Sequence, residues 1–287
     1  MATSFKADAN LVAKIEDFYS YMKKESNNQL LSFFASNENF SVSIYKTGTV
    51  LFQGKDAQSE CAIWTNEKNN FIDHIGSDEV GCGDYFGPVV VCATLVKKEN
   101  YESLLKLGIK DSKQLSDEKI KTIAPEIKKM IPNCVFILTN KKYNEIRDKD
   151  YNLNKIKAYL HNYVLYNLVE KTHFKGQIIM DQFAPESLYY SYLNDYKDKI
   201  QKNIYFTTKA ENKYLAVACA SIIARYTFLK QTEKMENEIK EKIPLGASEM
   251  VDEFAYKLAL KIGLENMKKY VKWHFKNTNY LIEKINK

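Results

Sequence analysis

Along residues 10–25 the apolar side chains Leu11, Val12, Ile15, Phe18, Tyr19 and Met22 recur every three or four positions, which predicts one amphipathic helix. The period then shortens to two. In FSVSIYKTGTVLFQG, Phe40, Val42 and Ile44 alternate with Ser41, Ser43 and Tyr45, Gly48 interrupts the run, and Val50 and Phe52 resume it. That is the pattern of a β-hairpin. A short helix is expected over 55–65, and the polar TNEKNN (65–70) has the composition of a linker. A small first domain over 1–65 and a larger second one over 71–287 are therefore expected.

In the larger part, FIDHIGSD and FGPVVVCATLV predict two successive strands joined by a glycine loop, and CVFILT (134–139) predicts a third. GQIIMD (176–181) and IYFTTK (204–209) return to the strand pattern, whereas IKAYLHNYVLYNLVE has helical spacing. YLAVACASIIARYTFLKQ carries small and apolar residues nearly all round, as expected of a helix buried against a sheet. Two more helices are expected near 247–262 and 264–272. Strands interspersed with helices point to an α/β mixed sheet flanked by helices, with a small α+β domain appended.

Composition narrows the setting. The 287 residues suffice for a real core without staples, and the five cysteines (Cys61, Cys82, Cys92, Cys134, Cys219) are scattered, with no zinc spacing. MATSFKADANLVAK lacks the apolar core of a signal peptide, and no segment reaches the ~18 uninterrupted apolar residues of a membrane span. A cytoplasmic protein with no membrane contact is expected, and nothing in the sequence demands more than a monomer. The net charge of +6 leans toward an anionic partner. Residues 1–70 hold seven lysines against eight carboxylates, so the whole basic surplus belongs to the larger part.

The candidate chemistry is carboxylate chemistry. Asp78 and Asp181 each close an apolar strand, at the sheet edge where open α/β folds place their sites. A lone acid there is ordinarily a solvated turn former; two at corresponding ends are a coincidence to explain. Glu79 should face away from Asp78 while the strand persists, and Gly81 and Gly83 are expected to turn the backbone so that both side chains converge beyond the strand end. Glu211 precedes the buried helix, where a carboxylate is otherwise a cap or a dipole partner. Four carboxylates in one place repel and raise one another's pKa values unless divalent cations neutralise them. Oxygen-only ligation selects Mg²⁺ or Mn²⁺, and paired ions about 4 Å apart suit in-line displacement at phosphorus.

GSDEVGCGDYFGP, KDSKQLSD, IIMDQF, TTKAENKYLAVACASIIARY, PLGAS and KWHFKNT occur in the order and rough spacing of bacterial ribonuclease HIII, a type 2 ribonuclease H, and SIYKTGTVLFQGKDAQSE resembles that family's N-terminal substrate-binding domain. The resemblance covers nearly the whole chain. It implies a ribonuclease H-like fold, an N-terminal domain resembling the TATA-binding protein, and an endonuclease that cuts the RNA strand of RNA–DNA hybrids, leaving 5′-phosphate and 3′-hydroxyl ends with the help of two Mg²⁺ or Mn²⁺ ions. It also implies metal-binding roles for Asp78, Glu79, Asp181 and Glu211, the last standing where many relatives have Asp. In the substrate-binding loop Gly81-Cys82-Gly83, Cys82 replaces the usual Thr.

Ser112 and Lys113 of the DSK motif and Arg225 of SIIAR become substrate-binding candidates, the two cations for phosphate. Tyr45, Lys46 and Gln53 of the hairpin are candidates for contacts to the duplex. His274 and Asn277 are expected to pack and cap. Two other readings are open: a ribonuclease HII-like enzyme cutting at single embedded ribonucleotides, and a non-catalytic hybrid-binding protein. Substrate choice separates the first, and binding without cleavage the second.

Overall fold

The structure, a computed structural model, describes residues 2–65, 72–109, 115–149, 151–195 and 199–286. The chain divides into two compact units, 1–72 and 73–287. Thr65 is the last described residue of the first helical connection, and the rest of the expected linker lies outside the described residues.

The first unit comprises β1 (Ala2–Lys6), α1 (Ala9–Phe18), β2 (Leu31–Ser36), β3 (Phe40–Tyr45), β4 (Thr49–Gly54) and α2 (Ala57–Thr65). Its strands form an antiparallel sheet in the order β1-β4-β3-β2. The expected hairpin is β3–β4, and its inward residues Val42, Ile44, Val50 and Phe52 are fully buried with Ile15 and Tyr19 of the helical side. The first helix is shorter than expected, ending at Phe18 and followed by a 3₁₀ turn over Ser20–Met22. Tyr19 is drawn inward there, its hydroxyl donating to Glu60 at 2.6 Å and accepting from the Trp64 indole at 3.1 Å. Strands β1 and β2 are not predicted by the residue pattern. In β2 the register shifts between Leu31 and Phe33, so the alternation is broken where Phe33 and Phe34 stand side by side.

The second unit runs β5 (His74–Val80), β6 (Val89–Val96), α3 (Tyr101–Lys106), α4 (Asp117–Met130), β7 (Asn133–Leu138), α5 (Asn140–Arg147), α6 (Leu153–Thr172), β8 (Gln177–Asp181), α7 (Glu186–Tyr192), β9 (Ile204–Thr207), α8 (Leu215–Ile239), α9 (Glu249–Ile262), α10 (Leu264–Met267) and α11 (Lys276–Ile285). Its sheet has the order β7-β6-β5-β8-β9, antiparallel across β7, β6 and β5 and parallel from β5 to β9. One face packs on α8 and α4, the other on α6 and α7.

Small residues let α8 lie unusually close. A Cβ on Gly76 of β5 would stand 2.4 Å from the Val217 amide nitrogen, and Thr94 of β6 donates its hydroxyl to the Ala216 carbonyl at 2.8 Å. The last expected helix, 264–272, is a single turn over Leu264–Met267, and α11 follows it unforeseen. No helix among the described residues is long and apolar enough to cross a membrane.

Candidate metal and nucleic-acid site

Asp78 and Asp181 lie at neighbouring ends of parallel strands: β5 and β8 pair in register up to Ser77 opposite Met180, one residue before each acid. Alternation fixes their direction. Ile179 packs with Val217 while Met180 packs on the α6 side, so Asp181 projects toward α8. Asp78 does the same and accepts a hydrogen bond from Ser221 of α8. Glu211 sits in a 3₁₀ turn (Ala210–Asn212) leading into α8, 7% exposed, and the preceding Ala210 amide donates to Asp181 Oδ1 at 3.0 Å. Asp78, Asp181 and the Glu211 turn are thus brought to one side of one sheet edge.

Glu79 departs from expectation. The glycines do not make it converge with Asp78, because β5 continues through Val80, paired residue by residue with β6 as far as Val90. Both acids are still inside the strand and face opposite sides. Glu79 points to α6, where Lys157 Nζ contacts Oε1 and His161 Nε2 lies 2.8 Å from Oε2. The other ring nitrogen of His161 is 2.9 Å from Ser77 Oγ.

These surroundings split the two carboxyls. Burial, then the Glu79 charge, and more weakly Glu211, push Asp78 up to about 7. Burial alone would raise Glu79 too, but hydrogen bonding and charge from His161, with Lys157 added, hold it well below the usual carboxylate range. Among the described residues no three carboxylate, histidine or cysteine side chains form a ready-made metal-ligand group. Glu79 is already engaged by two protein donors, and the like charges of the other acids act to keep them apart. The donor set still fits a hard divalent cation: it is all oxygen, and the Glu79 and Glu211 charges that add to the effect of burial on Asp78 also attract a cation.

Next to the acids, Gly81 has φ +94° and passes so close to the Pro88 carbonyl that a Cβ would meet it at 2.2 Å. Only glycine fits there. Cys82 turns its side chain into the α6-side apolar cluster, and burial, then Glu79, pushes its thiol up to about 12. Gly83 is exposed with open space around it.

The rest of the loop is clamped by two distant motifs. Gly246 of PLGAS donates its amide to Asp84 Oδ1 at 2.7 Å and accepts from the Tyr85 amide at 2.8 Å. Lys272 of KWHFKNT is completely buried; its amine donates to the carbonyls of Asp84 at 2.7 Å and Gly87 at 2.5 Å.

The remaining candidates fall elsewhere. Arg225 forks onto Asp117 at the start of α4, with Nε 3.0 Å from Oδ1 and the second nitrogen 3.2 Å from Oδ2. Ser112 and Lys113 lie outside the described residues. Tyr45 and Gln53 share the sheet face opposite α1 and α2: Gln53 pairs with Ser41, four residues from Tyr45 along β3, a separation of roughly 13 Å. Lys46 follows in the exposed turn. His274 bonds Asp148 at 3.0 Å, and the Asn277 amide ties α11 to Ala247 and Asp252, so both are packing and tethering residues. Lys157, His161 and Lys272 were not singled out from the sequence. The signal for the first two was a Lys and a His four apart, hence on one face, in a helix read only for its apolar spacing.

The family model for ribonuclease HII matches residues 75–278, and one for a domain of unknown function (DUF3378) matches residues 3–72. Ribonuclease HIII of Bacillus cereus is 40% identical over 270 residues, covering 86% of each chain. The chain belongs to the ribonuclease HIII family. Ribonuclease HIII of a Geobacillus species is 41% identical, again over 86% of both chains. Among solved structures, that of Bst-RNase HIII in complex with Mn²⁺ superposes with a TM-score of 0.72 at 34% identity, covering 99% of this chain and 98% of that one.

Proposed function

We propose that this protein hydrolyses the RNA strand of RNA–DNA hybrids in a metal-dependent reaction that leaves 5′-phosphate and 3′-hydroxyl ends. The observation that carries the reading is the arrangement of Asp78, Asp181 and Glu211 on one side of the β5–β8 edge, with the proton affinity of Asp78 raised by burial and by its acidic neighbours. The mutual repulsion of these groups is relieved when a divalent cation binds, and membership of a family that includes a Mn²⁺-bound relative accords with that.

Asp78, Asp181 and Glu211, with Glu79 from the other face, would hold Mg²⁺ or Mn²⁺, in two sites. Such ions supply Lewis acidity at the phosphate and make bound water a nucleophile at neutral pH. The chain's own part is placement. The acids fix where the scissile phosphate must lie, and the open space at Gly83 admits a nucleic-acid backbone to the loop amides. Backbone contact to a ribose 2′-hydroxyl there distinguishes RNA from DNA. In the first unit, the face carrying Tyr45 and Gln53 offers an aromatic and an amide to the duplex.

The test is cleavage of end-labelled RNA–DNA hybrid, duplex RNA, and DNA with one embedded ribonucleotide, with products resolved by end chemistry. Cutting confined to the hybrid, with 5′-phosphate ends, is expected. Efficient cutting at the lone ribonucleotide would move the assignment to a ribonuclease HII-like activity, and hybrid binding without cleavage would leave a recognition protein.

A further inference from the structure

Glu79 has both carboxylate oxygens engaged by one helix. Lys157 and His161, four residues apart and so on the same face of α6, meet Oε1 and Oε2 respectively. Three features make this a built arrangement. His161 is wholly buried and is fixed from behind by Ser77, two residues before Glu79 and on the same side of β5. Because a carboxylate only accepts, Nε2 donates to Glu79, and in the neutral ring Nδ1 accepts from the Ser77 hydroxyl. Phe183, two residues beyond Asp181, lies under both partners: its ring is 4.1 Å from Lys157 Nζ and stacks on His161 at 5.6 Å between centroids. The strand end that carries Asp181 therefore also braces the helix that holds Glu79.

We propose that Lys157 and His161 are positioning residues for Glu79, fixing its rotamer so that it meets the bound divalent cation in one orientation, with the Lys157 ammonium balancing its charge before the cation arrives. The proposal rests on the reading of the carboxylates as a metal site. Partners that orient a ligand typically change metal affinity about 10- to 100-fold when removed. His161→Leu keeps bulk and loses the donor, whereas His161→Gln places an amide nitrogen near the position of Nε2. Lys157→Met keeps an unbranched side chain of similar length and removes the ammonium, charge and donors together, from Glu79 and Phe183.

The experiment is Mn²⁺ titration of the full chain without substrate, read by the electron paramagnetic resonance of free Mn²⁺, alongside kcat and KM for the hybrid. His161→Leu is expected to weaken Mn²⁺ binding about 10-fold or more, with His161→Gln restoring most of it. Lys157→Met is expected to lower kcat at saturating Mn²⁺ while KM stays unchanged. A folded His161→Leu protein with wild-type Mn²⁺ affinity overturns the proposal. Should that variant lose its cooperative unfolding transition, Lys157→Met decides: wild-type kcat overturns the proposal and a selective kcat loss supports it. If the wild type itself binds no Mn²⁺ at millimolar concentration, the metal-site reading falls first, an outcome distinct from failure of the positioning role.

Discussion

Lys272→Met tests how the glycine loop is held. The wild-type amine is fully buried and gives one hydrogen bond each to the carbonyls of Asp84 and Gly87, with no carboxylate at hydrogen-bond distance among its described contacts. Methionine has similar length but donates nothing. Losing two bonds from a charged donor costs about 1.5–3 kcal/mol each, offset by several kcal/mol no longer needed to desolvate an ammonium, so a net loss of about 2 kcal/mol is expected at pH 7.

The pH dependence is sharper. Burial outweighs the nearby Asp84 charge and lowers Lys272 from 10.5 to about 8. Between those values the unfolded chain binds more protons than the folded one, so the lysine's contribution to stability rises with pH across that window. The neutral amine still has two hydrogens for the two carbonyls. A shift of this size corresponds to about 3 kcal/mol, so the deficit of the variant should widen from about 2 kcal/mol at pH 7 to about 5 kcal/mol near pH 10.5. Burial pushes the buried tyrosines above their ordinary value, which adds a pH dependence of its own, but they are common to both proteins and cancel in the difference. Urea unfolding of wild type and variant at four pH values from 7 to 10.5 measures it. A deficit that is constant or shrinks with pH would refute the reasoning.

Gly76→Ala should destabilise the second unit by about 3 kcal/mol or more, because the new Cβ meets the backbone of α8 and neither strand nor helix can retreat; thermal unfolding checks it. Cys82→Thr should leave hybrid cleavage unchanged, since the side chain at that position packs inward; steady-state rates that rise on restoring the hydroxyl would show that the loop uses it. Hybrid affinity should fall steeply with salt, with a log–log slope that counts the phosphates neutralised. A flat response in a salt series of binding isotherms would remove the basic surface from the account.

Much of this architecture is visible in the pattern of residues, and the gaps have physical causes. Strands β6 and β8 stand out because VVVCATLV and IIM are buried on both faces and read as nearly continuous apolar runs. Helix α8 stands out because its small residues are needed for close approach to Gly76. β2 escapes notice because its register shift hides the alternation, and β1 because five half-exposed residues carry little signal. The direction of Glu79 differs from the glycine-based expectation because the extent of β5 is set by its pairing with β6, a nonlocal fact that glycines at 81 and 83 do not reveal. The partners of Glu79 and the buried amine of Lys272 come from segments 78 or more residues away, so only the fold brings them together.

Hybrid cleavage by wild type and Asp78→Asn across a Mn²⁺ titration tests whether Asp78 belongs to a divalent-metal site that cuts hybrid, with an EDTA control and unfolding curves to show that the variant is intact. Cutting is expected to require the metal, to vanish in EDTA, and to be abolished in a variant at least as stable as wild type without metal, because one of the repelling acids is gone. Cleavage that persists in EDTA, or a folded Asp78→Asn protein that cuts at the wild-type rate, would contradict that assignment.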